Sequence, residues 1–188
     1  MISKADYKFD LDEEMIETLH REFLPERVTD EFAKGMPSAQ AKDAFAEGFF
    51  KDFGRRWMAR TIELGEKHDD RTYEVLREVV AKTGYFKFPY MPERFIEIAY
   101  LSTQPIYSIP IVEAYAGAFV FKMAFCDYYK GIRDKLGDDV AGSLHCRHAC
   151  LSACDAAFRH FGFDVTVGMD ATMPKEGFCQ FRVKRLDA

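Results

Sequence analysis

The chain has 188 residues, 26 of them Lys or Arg and 31 Asp or Glu, for a formal net charge of −5 at pH 7. With 48% hydrophobic and 30% charged residues, the composition excludes a disordered chain, and the acidic balance argues against a nucleic-acid partner. A chain of this length buries roughly 70% of its unfolded surface, enough for a core without disulfide staples.

The polar, acidic start MISKADYKFDLDEEM lacks the apolar segment of a signal peptide, and no apolar run approaches the ~18 residues of a membrane span. These features predict a cytoplasmic protein without a membrane partner. Its five cysteines are then reduced thiols or metal ligands.

In chain order, the first half reads as helices. Asp12 caps a first helix with Met15, Ile16, Leu19 and Phe23 at helical spacing. Pro25 ends it or opens the next, which runs through Val28 and Phe32 to Gly35. Pro37-Ser38 opens a long segment to about His68, with Phe45, Phe49, Phe53, Trp57 and Ile62 on one face and Gly48 and Gly54 weakening it. Asp69-Asp70 caps a further helix that turns Tyr73, Leu76, Val79 and Val80 inward and stops at Gly84. Prolines 89, 92, 105 and 110 punctuate the aromatic stretch from Tyr85 to Pro110. It reads as loops packing aromatics on the core, with one short helix near Phe95, or as a lid.

The period then changes to two. Tyr107, Ile109 and Ile111 alternate, Ala116-Gly117 turns the chain, and Phe119, Phe121, Met123 and Phe125 share one face of a second strand. Cys126-Asp127 hands over to a helix ending near Leu136. A second helix is expected from Asp138 to Phe161. Val165, Val167 and Met169 form a third strand, Pro174 to Gly177 a turn, and Cys179, Phe181 and Val183 a fourth. The order ββ-α-α-ββ predicts an antiparallel sheet packed on helices. With the helical N-terminal half this is an α+β fold. Residues 1–104 form the helical region and 105–188 the cysteine-containing region of one compact unit.

All five cysteines lie in that second region. Cys146, Cys150 and Cys154 are each four residues apart, which places them along one helix edge. His148 lies about 200° round the helix from Cys146 and within about 20° of Asp155, so an imidazole–carboxylate edge with Ser152 runs separately from the thiols. Cys154 is nearest the apolar stripe and reads as core, whereas Cys146, furthest out beside Arg147, reads as the reactive thiol of the three. Cys126 stands at a helix N-terminus, where backbone N–H groups favour a thiolate, partly offset by Asp127. Cys179 faces the core side of the last strand. His20 and His68 fall on polar faces and should be solvated. There is no Walker A, GxGxxG, HExxH or GxSxG pattern.

The segments FVFKMAFCDYYKGIRDKLG, SLHCRHACLSACDAAF and GFDVTVGMDATMPKEGFCQFRV resemble, in pattern and order, the family of 2-aminothiazoline-4-carboxylate hydrolases. The likeness spans about Ile106 to Arg185 and rests on Cys126, Cys146 and Cys179. Cys150, Cys154 and the histidine-rich helix depart from the pattern. The resemblance implies hydrolysis of a C–N bond in a small cyclic amidine by a cysteine nucleophile, Cys126 or Cys146, with His148 oriented by Asp155 as acid–base and no cofactor. The same element order is also similar to vinyl-reductase-type small-molecule-binding domains. That likeness implies a non-enzymatic module, with Cys146, Cys150 and Cys179 holding zinc or iron beside an apolar cavity. A third reading makes the cysteines core and the N-terminal helices a homodimer surface.

Overall fold

In the computed structural model, residues 11–68 and 70–187 are described; Asp69 of the expected cap lies outside them. Helix α1 (Glu13–Phe23) starts where expected: the Asp12 carboxylate accepts from the N–H groups of Glu14 and Met15, satisfying two of the four donors a helix start leaves open. Pro25 opens α2 (Pro25–Gly35), where its missing N–H costs nothing.

The long α3 (Lys42–Lys67) carries the core of this half. Phe53, Trp57 and Ile62 are buried as expected, and the buried side departs from the expected one only toward the start of the helix. Phe50 is fully buried, whereas Phe45 and Phe49 only pack against the core edge. Trp57 is sealed among Phe53 (ring centroids 5.7 Å), Tyr100 (5.0 Å) and Tyr128 (5.8 Å). Gly54, expected to weaken the helix, is instead a contact point: a Cβ there would stand 2.1 Å from the Ala149 carbonyl oxygen.

Helix α4 (Arg71–Thr83) ends at Gly84, whose φ of 74° is the left-handed conformation that glycine adopts without strain. The expected side-chain cap is absent. Asp70 is fully buried and takes the Arg94 guanidinium through two hydrogen bonds of 2.6 and 2.7 Å.

The stretch expected as loops or a lid is largely the inner helix α5 (Tyr90–Thr103). Phe95, Ile96, Ile98, Ala99 and Tyr100 are all buried, so the helix is apolar around most of its girth and shows no single stripe. Pro92 sits in the first turn, where proline is tolerated.

Strands β1 (Ile111–Tyr115) and β2 (Ala118–Met123) form the hairpin about Ala116-Gly117. Helix α6 (Asp127–Leu136) follows from Cys126. The single helix expected next is two: α7 (Asp138–Gly142) and α8 (Arg147–His160). Between them Leu144 adopts φ 52°, and Cys146 precedes α8 rather than extending a thiol ladder from within it. Strand β3 (Val165–Ala171), the short α9 (Met173–Glu176) and β4 (Cys179–Arg185) complete the fold.

The fold is thus α+β, a helical N-terminal half followed by a four-stranded antiparallel sheet in the order β1-β2-β4-β3. The two hairpins dock through β2 and β4, pairing Phe121 with Phe181 and Met123 with Cys179. Phe119, Phe121, Phe181 and Val183 form the inner face, meeting α5 through Tyr100 (6.2 Å from the Phe121 ring) and α8 through Phe158 (6.1 Å from Phe119). On the other face Arg182 joins three strands, binding Glu113 and Asp170. Phe125, expected inward, is 72% exposed, because β2 ends at Met123. Among the described residues, no helix is long and apolar enough to cross a membrane.

Candidate active site

Cys126 sits where β2 gives way to α6. Its backbone is extended (φ −149°, ψ 105°), the geometry of an N-cap, and its Sγ accepts from the Tyr129 N–H at 3.4 Å. The Gln104 side-chain oxygen accepts from the neighbouring Asp127 N–H at 3.0 Å, fixing the end of α5 against the start of α6. The residue is half-buried, the most exposed of the five cysteines.

Three other thiols face the same space. Cys126, Cys146, Cys150 and Cys179 line one cavity, contributed by the hairpin exit, the entry and first turn of α8, and the start of β4. Tyr100, Met123, Tyr129 and Phe181 supply most of its apolar wall, and among the described residues Arg147 is the one charged residue on it. The volume is about 20 Å³, room for about one water molecule. An apolar groove of about 280 Å³, lined by residues that include Ile106, Pro110 and Phe125, shares Met123 with the cavity. It adjoins the cavity at Met123, and its wall runs along the chain as far as Phe125, the residue before Cys126.

Burial governs the ionisation of these groups. It pushes the Cys126 thiol up to about 11, against the downward pull of the Tyr129 and Tyr128 N–H groups. This reverses the expectation that the helix terminus holds Cys126 as a thiolate. Desolvation outweighs these backbone N–H···S contacts. Cys146 and Cys150 lie well above the ordinary thiol range, first through burial and then through the neighbouring thiols. Cys146, expected to be the outermost and most reactive thiol of its helix, is 7% exposed, because the turn at Leu144 folds it inward. The Tyr100 hydroxyl is buried beside Cys150, and burial, then Cys150, holds its proton on.

Two expected site residues are not on this cavity. His148 and Asp155 do share one face of α8, but that face borders a separate groove with Lys51, Arg55 and Ser152. Both Asp155 oxygens are engaged by Arg159 Nε at 2.9 Å, so Asp155 does not orient the imidazole. Burial, with Arg147 second, lowers the His148 pKa. Cys154 lies in the core, as expected, and burial pushes its thiol up to about 12.

His20 is exposed, as expected, with its Nδ1 3.2 Å from the Ser102 carbonyl oxygen, whereas His68, expected in solvent, is partly buried with its Nδ1 3.5 Å from Asp12.

As placed, the thiols Cys146, Cys150 and Cys179, expected to hold zinc or iron in the alternative reading, are not gathered around one point. Thiolates around a tetrahedral metal stand within about 4 Å of one another. Among the described residues, the group of three or more potential ligands with all donor atoms within 4.8 Å is the surface set Asp12, Glu14 and His68, not the thiols.

Sequence reasoning did not find Tyr100, Tyr129 or Met123 as site residues. Met123 carried the only direct signal, its place two residues from Phe121 on the inner face of β2. No known family model matches the chain, and no curated protein matches it.

Proposed function

We propose that the protein is a cysteine-dependent hydrolase that opens a small cyclic amidine at a C–N bond, with Cys126 as nucleophile. The observation that carries this reading is the meeting of Cys126, Cys146 and Cys179 on one cavity. These are the three cysteines of the resemblance to 2-aminothiazoline-4-carboxylate hydrolases, and they come from three separate segments. Cys126 is favoured over Cys146 because it is more exposed and its sulfur receives a backbone N–H.

Among the described residues no imidazole lines the cavity to take the Cys126 proton, and none is needed when the substrate is basic. The Sγ–H proton passes to the ring nitrogen of the amidine while sulfur bonds to the amidine carbon. The carbon–ring nitrogen bond then breaks, and the exocyclic nitrogen gives up a proton to the departing amine. Water adds to the sulfur-bound carbon, the C–S bond breaks, the thiol recovers its proton, and a carbamoyl product leaves. Arg147, the charged wall residue, would hold a substrate carboxylate, and the buried Tyr100 hydroxyl on the same wall would donate to a substrate nitrogen. Because the cavity itself holds about one water, the substrate must enter from the adjoining apolar groove, with Met123 giving way.

The test is turnover of 2-aminothiazoline-4-carboxylate under reducing conditions, followed by mass spectrometry. A ring-opened product one water heavier is expected from the wild type and none from Cys126→Ser. No product from the wild type, or full turnover by the variant, overturns the reading.

A further inference from the structure

The groove bordered by His148 has no part in the thiol chemistry, and its make-up points elsewhere. It forms where α3 and α8 cross. Gly54 lets the Ala149 backbone approach closely, and this contact sets the neighbouring residues, Arg55 and His148, on the flank of the crossing. Lys51 and Arg55 are one turn apart on α3; His148, Ser152 and Asp155 follow one another at turn spacing on α8. Leu151 and Val167 supply the apolar part of the wall, and the volume is about 430 Å³, the size of a small organic ligand.

The charges are unevenly answered. Lys51 is paired with Glu47. Arg55 donates Nε to the Lys51 carbonyl oxygen at 3.2 Å, and among the described residues no carboxylate accepts from its remaining N–H groups. The two oxygens of Asp155 are both taken by Arg159, so Asp155 adds little uncompensated negative charge. In a protein of net charge −5, this groove therefore gathers donors: the Arg55 guanidinium, the His148 imidazole and the Ser152 hydroxyl, beside a Lys51 ammonium held by Glu47, whose carboxylate also faces His148.

We infer that this α3–α8 groove is a second binding site, which takes the phosphate group of a small phosphorylated compound. Donors arriving from two facing helices suit a tetrahedral oxyanion better than a flat carboxylate, which a single guanidinium would satisfy. The apolar wall gives the organic part of the ligand a surface to lie on. The site is independent of the hydrolase reading and does not require any cysteine to react.

Inorganic phosphate is the probe, titrated into the full protein at fixed ionic strength and followed by the His148 imidazole signals in NMR and by calorimetry. Saturable binding at one site per chain is expected, with His148 shifting along the same curve and with sulfate competing. Arg55→Gln should weaken binding by about tenfold or more, the loss expected for a charge-assisted contact. Because Arg55 lies next to the helix crossing, Ser152→Ala serves as the second variant and should weaken binding less, by roughly fivefold. Absence of saturable binding overturns the proposal. So does binding that leaves His148 unmoved, or binding that both variants retain at wild-type strength.

Discussion

Gly54 and Gly48 lie in the same helix, and alanine should act on them with opposite signs. In the interior of α3, replacing glycine by alanine gains about 1 kcal/mol from backbone propensity alone. At Gly48 a Cβ meets nothing within 4 Å, so that gain should appear in full. At Gly54 the new Cβ would stand 2.1 Å from the Ala149 oxygen. This is about 1.2 Å inside an ordinary C···O contact, and the obstacle is backbone rather than a side-chain tip. The α3–α8 crossing must open along its length, at an overpacking cost of about 3 kcal/mol. After the propensity gain, a net loss of about 2 kcal/mol remains, a fall in midpoint of roughly 4–8 °C for a chain of this size. Thermal unfolding by circular dichroism, checked by urea denaturation, measures both variants. Gly48→Ala should be slightly more stable than the wild type and Gly54→Ala clearly less. If Gly54→Ala is as stable as Gly48→Ala, the helices do not cross at this point and the placement of Arg55 and His148 fails with it.

The buried Arg94–Asp70 pair gives a second test: Arg94→Met strands a fully buried carboxylate and should cost about 3–5 kcal/mol in urea unfolding at neutral pH, whereas a loss under about 1 kcal/mol would mean the pair is solvated. Glu93 is held up at about 7 by burial and then by Glu97, and one of its oxygens is buried without a partner. Since the folded value lies above the unfolded one, the stability this group contributes is complete below the ordinary value of 4.5 and is lost as the pH rises to about 7. Glu93→Gln should therefore stabilise the protein by about 1–2 kcal/mol at pH 8 and by nothing measurable at pH 4, and equal effects at both pH values would refute the assignment. With its thiol near 11, Cys126 should be alkylated by iodoacetamide about tenfold faster per pH unit over roughly pH 7 to 10, as read by peptide mass mapping; a plateau near neutrality would show a thiolate instead.

Much of the fold could be read because its boundaries are local. Asp12 starts a helix through its side-chain carboxylate, Pro25 and Gly84 start and stop helices through their backbone geometry, and the alternation Cys179, Phe181, Val183 marks β4 directly. What could not be read depends on contacts distant in sequence. α5 is buried on most sides, so its apolar residues show no stripe, and its prolines looked like loop markers although Pro92 lies in the first turn. The break at Leu144 carries no proline and no glycine at the turning residue, and without it Cys146 appeared to belong to a continuous ladder. The partition of α8 into a thiol side and an imidazole side was legible from spacing alone. Which side faces the sheet was not, because that depends on Gly54 meeting Ala149, 95 residues later.

The claim on which the chemistry depends is that thiols from three segments confront one another across a single small space. Phenylarsine oxide, which bridges two facing thiols, tests this directly when the reduced protein is treated with one equivalent, digested and mapped by mass. Bridges joining the Cys126 peptide to those of Cys179 or Cys146 are predicted, with Cys154 unmodified. Failure to bridge, or bridging confined to Cys150 and Cys154 within one helix, would contradict the account.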